Sequence, residues 1–235
     1  MFFQKLFGQS PKQSKCKGPQ RRRLGIEPLE SREMLSISPG EFDLIRGQYP
    51  ALILEEDMGK YNVIEITAAE LSESVLRAKI TEAGTTTGTD LIVVRTTETD
   101  NKITLTGTEL AINIPVSTRG SVTIVSLGEV PLTIDGGTLT NTISVSGTST
   151  VAFGGVAIQG GRLNHTAGSL TLQKSSIVNA SLTSSTTYFH DVTILGNATI
   201  SGTSNATLTS YGDLTVNGTL TVGYRNTTLK FVGNQ

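Results

Sequence analysis

The chain has little of what usually carries chemistry. It holds no Trp, one Cys, two His and only seven Pro among 235 residues. Cys16 cannot form an internal disulfide, so a disulfide framework is excluded, and C-x-x-C redox or zinc motifs are excluded with it. Its lack of a preceding apolar run argues against a lipid-anchored cysteine. Charged residues are 17% and aromatics 5%, both low for a helical bundle or coiled coil. No apolar run approaches the length of a membrane-spanning segment, so no transmembrane helix is expected. A net charge of -1 does not suit a general nucleic-acid binder. G-x-S-x-G and Walker-type loops are absent too.

What remains is rich in Gly, Thr, Ser and Asn, and its distribution is uneven. Residues 1–36 carry eight Lys/Arg and three Glu, a net of +5, whereas residues 37–235 carry a net of -6. The first Thr is Thr67, after which Thr is abundant. These breaks suggest a basic leader (1–36), a transition segment (37–66), a helix (67–84) and a repetitive body (85–235).

The transition segment contains two short strand candidates, Leu52-Ile53-Leu54 and Val63-Ile64-Glu65-Ile66. Between them, Glu55-Glu56-Asp57 lacks the alternating acids and distal Glu of a calcium loop and reads as a solvated turn. Thr67 and Glu70 have capping-box spacing. Leu71, Val75, Leu76, Ile80 and Ala83 then form an apolar stripe closed by Gly84, which predicts one amphipathic helix over 68–83.

In the body, apolar triplets recur, beginning at Leu110, Leu132, Val151, Leu170, Val192 and Leu214. Second strands follow several of them, separated by turn-forming Gly, Asn, Asp and Ser. A period near 20 with two or three short strands predicts a parallel β-helix of about seven coils, about 30–35 Å long. The fold expected is all-β, a single-stranded right-handed parallel β-helix (solenoid) capped at its N-terminal end by the helix. No cap is evident at the other end, where Lys230-Phe231-Val232 follows as one more strand-like segment. That open edge is expected to pair with another chain or a missing segment.

The body offers few acids or bases. Asp191 and Asp213 each precede an apolar triplet and are separated by one period, which stacks them one coil apart if the register holds. They are the candidate metal ligands, for Ca²⁺; the plainer reading makes them turn residues bonded to nearby backbone. His165 and His190 are isolated and are expected at the surface. Asn-x-Ser/Thr triplets at Asn164, Asn179, Asn197, Asn205, Asn217 and Asn226 read as stacked turn asparagines. No catalytic or cofactor-binding residue is assigned.

Two resemblances add to this. Arg21-Arg22-Arg23-Leu24, Glu27-Pro28-Leu29-Glu30, Arg32 and Met34-Leu35-Ser36 resemble the leader found on large exported proteins of planctomycete bacteria. This likeness is confined to positions 21–36; it implies export to the cell surface or outside the cell, and no chemistry. Residues 67–160 resemble the opening of right-handed β-helix regions in polymorphic outer-membrane or adhesin-like surface proteins. The likeness is carried by Asp90-Leu91-Ile92-Val93, Ile103-Thr104-Leu105-Thr106-Gly107 and Leu132-Thr133-Ile134-Asp135-Gly136. Val75-Leu76-Arg77-Ala78-Lys79-Ile80 departs from that pattern. The function expected is a non-catalytic structural or adhesive one, with a surface glycan or protein as ligand. A polysaccharide lyase or hydrolase is the alternative.

Overall fold

The computed structural model describes residues 37–52, 54–166, 168–223 and 227–232, without the side chains of 203–205. The leader positions Arg21 to Ser36, and Ile53, lie outside the described residues.

The expected parallel β-helix is what the chain forms. Every defined strand pairing is parallel, and the strands stack on three faces. The first face stacks β1 (Tyr61–Ile66), β2 (Thr89–Thr96), β5 (Val122–Gly128), β8 (Thr150–Gly154) and β11 (Ser169–Gln173) in turn. It continues into residues 187–190 of the long extended run β13 (Ser181–Gly223). Residues 207–211 of that run pair with β14 (Thr228–Val232), whose other edge carries no strand among the described residues. The second face stacks β3 (Lys102–Thr104), β6 (Leu132–Asp135), β9 (Val156–Gln159), β12 (Ser176–Val178) and residues 193–195. The third stacks β4 (Leu110–Ile112), β7 (Ile143–Val145), β10 (Arg162–His165) and residues 181–184.

Alternation along each strand sends every second side chain inward. Across coils these residues align into columns. On the second face Ile103, Ile134, Ile158, Ile177 and Ile194 stack in register. On the first, Ile64, Ile92, Ile124, Phe153, Leu172 and Phe189 do the same. All belong to one continuous core.

The repeat is less regular than the sequence suggests. On the first face, Tyr61 pairs with Thr89, Asp90 with Val122, Val122 with Val151, Val151 with Leu170 and Leu170 with Thr187. Coils are therefore long near the N-terminal end and markedly shorter beyond β8. The triplets that look equivalent sit on different faces: Leu110 on the third, Leu132 on the second, Val151 and Leu170 on the first, and Val192 beside the second-face residue Thr193. An apolar–polar–apolar triplet marks any strand with one buried side, so spacing alone does not tell one face from another.

Corners are turned by residues in the left-handed region. Between the first and second faces, Gly155, Lys174 and Asp191 have φ of 66°, 46° and 53°. They follow Gly154, Gln173 and His190, which are in register. At the next corner Gly160, Asn179 and Gly196 have φ of 67°, 45° and 72°. Glycine lacks the Cβ penalty there, and Asn and Asp tolerate the conformation.

Among the described residues, two helices of more than two turns dress the N-terminal coils, where one is expected. The predicted pairing of Thr67 with Glu70 forms, the Glu70 carboxylate accepting from the Thr67 amide at 3.4 Å and from its hydroxyl at 2.7 Å. It closes only a 3₁₀ turn, Ala68–Glu70; Leu71 is extended, and Ser72 caps a separate helix α2, Glu73–Ala83. Ser72 is a second N-cap that restarts the helix. Leu76, Ile80 and Ala83 pack into the solenoid core beside Ile64 and Ile92. The polar side of α2 is engaged as well. Glu73 accepts from the Thr106 amide and hydroxyl, each at 2.8 Å, and Arg77 donates to the Glu109 carbonyl at 2.7 Å.

The other helix, α1 (Pro39–Gln48), stands where a transition segment with strands is expected. Its cue lies in the sequence: Ser38 and Glu41 form a capping box with Pro39 at the first position. Phe42, Ile45 and Tyr49 bury Leu91, Val93 and Val125 from outside the first face. Burial on both sides explains why Leu91-Ile92-Val93-Val94 is apolar throughout. Arg95 pairs with Glu41 of α1 at 2.8 Å and with Glu65 of β1, joining helix to sheet. Of the two strand candidates in this segment, Val63-Ile64-Glu65-Ile66 lies in β1, and Leu52 ends a 3₁₀ turn, Pro50–Leu52.

Candidate functional site

Asp191 and Asp213 are neighbours, as the spacing suggests. The Asp191 carboxylate accepts from the Asp213 amide at 3.1 Å, and Asp191 holds a left-handed corner conformation. Among the described residues no three His, Cys, Asp or Glu side chains converge to hold a metal ion. Asn179 plays a parallel part at its corner, accepting from the Asn197 amide at 3.1 Å. Asn164, by contrast, lies in strand β10 rather than a turn.

The histidines differ from expectation and from each other. His165 is fully buried, not superficial. It takes the inward position that Ile112 and Val145 occupy in preceding coils, and its Nδ1 lies 3.0 Å from the Ser184 hydroxyl. A ring so placed is core. His190 points outward from the first face and is half-buried. Burial holds its pKa below the ordinary histidine value, against the opposing charge of Asp191. Burial thus favours the neutral imidazole, with one donor and one acceptor nitrogen.

The outer side of the first face changes along the stack. Helix α1 covers Leu91, Val93 and Val125. The cover continues over Gly154, where a Cβ would sit 3.0 Å from both the Tyr49 ring and Leu52. It ends at Gln173, whose side-chain oxygen accepts from the Ala51 amide at 2.9 Å. One coil further, Tyr188 and His190 face outward, in register with Thr171 and Gln173. Tyr211 completes the group. Its ring stacks on His190 at 4.8 Å and 10°, and lies 6.5 Å from Tyr188. Lys230 follows, paired in register with Thr209. The result is an aromatic ladder with polar tips, on a sheet surface that starts where the helical cover stops. The sequence holds its elements as Tyr188, His190 and Tyr211, but a full coil separates the first two from the third, and only the register reveals the contact.

The third face is smoother. Ala111, Ser144, Asn164 and Thr183 align in one outward column, and the Thr183 hydroxyl meets that of Ser201 at 3.1 Å. The side chains of that column are small and uncharged, and Arg162 at the start of β10 stands exposed beside it.

A cleft of about 170 Å³ opens where the end of α1 meets the corner between the first and second faces. Tyr49 lines it. The phenol is buried, donates to the Ser126 carbonyl at 2.9 Å and accepts from the Gln48 amide at 3.1 Å. Burial pushes its pKa up to about 12, so it stays protonated. Glu129 and Lys174 are the charged residues on the walls.

No known family model, curated protein or solved structure matches the chain. The described residues form no helix long and apolar enough to cross a membrane.

Proposed function

We propose that this is an exported, surface-associated β-helix protein that works by binding rather than by catalysis. The observation that carries the reading is the Tyr188, His190 and Tyr211 ladder on the outer first face. Such rings present apolar surface with hydroxyl and imidazole groups at the edge, a combination suited to the C–H faces and hydroxyls of a glycan. Rung spacing of about 4.8 Å lets one extended ligand touch the same outward position in consecutive coils. The small, uncharged column of the third face supports a scaffold role. The leader resemblance supports export.

The test is a glycan and polysaccharide array probed with the full chain, with Ca²⁺ and with EDTA, while product release is followed in the same wells. Binding without turnover, lost on Tyr188→Ala with Tyr211→Ala, supports the proposal. Neither side chain belongs to the core, so the double variant is expected to keep the fold. Turnover of any polymer sinks the binding-only reading and favours a carbohydrate-active enzyme. Retained binding in the double variant moves the site off the ladder.

A further inference from the structure

The cleft beside Tyr49 is lined by a lysine in an uncommon backbone conformation. Lys174 is at a left-handed corner, with φ of 46°. In the preceding coil the same corner uses Gly155. Lysine has neither glycine's freedom nor the short polar side chain with which Asn and Asp settle there. Its side chain is exposed and forms no ion pair among the described residues. A backbone outlier lining a cavity is a pointer to function.

The polar groups around the cleft can be sorted by whether they are already committed. The Tyr49 hydroxyl is held by the Ser126 carbonyl and the Gln48 amide nitrogen. The Ser126 hydroxyl is held by Thr96 and the Val130 carbonyl. Three polar side chains of the lining remain uncommitted, those of Lys174, Glu129 and, at its oxygen, Gln48, the first two exposed to solvent. That leaves one cation, one anion and one acceptor, with Val130 and Pro131 as apolar wall.

We propose that this cleft is a binding site for a small zwitterion, an α-amino acid with a short aliphatic side chain. Its carboxylate pairs with Lys174. Its ammonium pairs with Glu129 and donates to Gln48, and its side chain lies on Val130 and Pro131. The proposal uses none of the ladder's rings, although the Lys174 amide donates to the His190 carbonyl at 2.9 Å.

The experiment is calorimetric titration of the full chain with L-valine. N-acetyl-L-valine and L-valine methyl ester serve as controls that each remove one charge, and D-glucuronate as a carboxylate without an ammonium. Saturable L-valine binding is expected, weakened at least about tenfold by either modification and by Lys174→Gly or Glu129→Gln. Lys174→Gly supplies the residue type found at Gly155, so its melting temperature is expected to hold. Glu129 is exposed, which makes Glu129→Gln a second folded variant. The Tyr188→Ala, Tyr211→Ala chain should bind L-valine as before. The proposal is overturned by absence of saturable L-valine binding up to about 10 mM. Unchanged binding in Lys174→Gly overturns it too. Tighter binding of D-glucuronate would make the cleft an acidic-sugar site instead.

Discussion

Replacing Phe189 with alanine tests whether the stack behaves as a one-dimensional array. Phe189 is fully buried and sits in register with Leu172. Truncating a buried Phe costs about 3–5 kcal/mol in transfer and cavity terms. In a solenoid each coil contacts mainly its neighbours, so the loss should fall on nearby coils. The N-terminal coils have extra support from α1 and α2, which bury Leu91, Val93 and Val125 from outside and pack beside Ile64 and Ile92. The expected outcome is therefore a two-step urea transition in Phe189→Ala. Amide exchange should show residues 187–211 losing about two to three orders of magnitude of protection, at about 1.4 kcal/mol per decade, while β2 and β5 keep theirs. Equal loss in β2 and β5 would sink the one-dimensional picture, because it would make the body one cooperative unit. A change under about 1 kcal/mol would contradict the packing premise.

Other outcomes rest on local geometry. Asp90 is fully buried; one carboxylate oxygen accepts from Asn62 at 2.8 Å and Thr86 at 2.7 Å, and the other has no partner. Burial pushes its pKa up, with help from Glu82 and against the two hydrogen bonds, so its favourable contribution is complete below about pH 3.9 and is lost as pH rises through the folded value. Thermal melts from pH 3 to 8 should show a decline over that window that Asp90→Asn flattens. Gly155→Ala places a methyl 2.2 Å from the Tyr49 hydroxyl at a φ of 66°, and should cost at least about 2 kcal/mol and disturb the near-ultraviolet tyrosine signal. The Ser38 amide, then the Ser38 hydroxyl and Arg95, pull the Glu41 pKa down to about 2. Docking of α1 should thus hold above pH 4.5 and weaken as pH falls toward 2, which limited proteolysis near residue 55 would report.

Much of the fold is legible because its causes are local. Alternation at Ile103, Leu132, Val151 and Leu170 marks one-sided strands, and Asn179 and Asp191 mark corners. The core of α2 is legible from Leu76, Ile80 and Ala83. Its start is ambiguous because Thr67 and Ser72 are both competent caps and only geometry selects between them. Helix α1 escapes notice although Ser38, Pro39 and Glu41 announce it, since its weak stripe of Phe42 and Ile45 has meaning only against an outer sheet surface. His165 misleads because a polar residue at an inward position looks, in sequence, like an outward one.

Local pattern is enough to set the class of this protein: short one-sided strands, turn formers between them, and too few charges or helical stripes for anything but a β-stack. It is also enough to bring Asp191 and Asp213 together. Which strand lies on which emerges only from the folded chain. Face identity depends on the number of residues spent at each corner, and a corner insertion changes coil length without altering the local pattern. The functional surfaces depend on that assignment. Tyr188, His190 and Tyr211 become one patch, and Gln48, Glu129 and Lys174 one cleft, only when chain segments far apart in sequence settle into register.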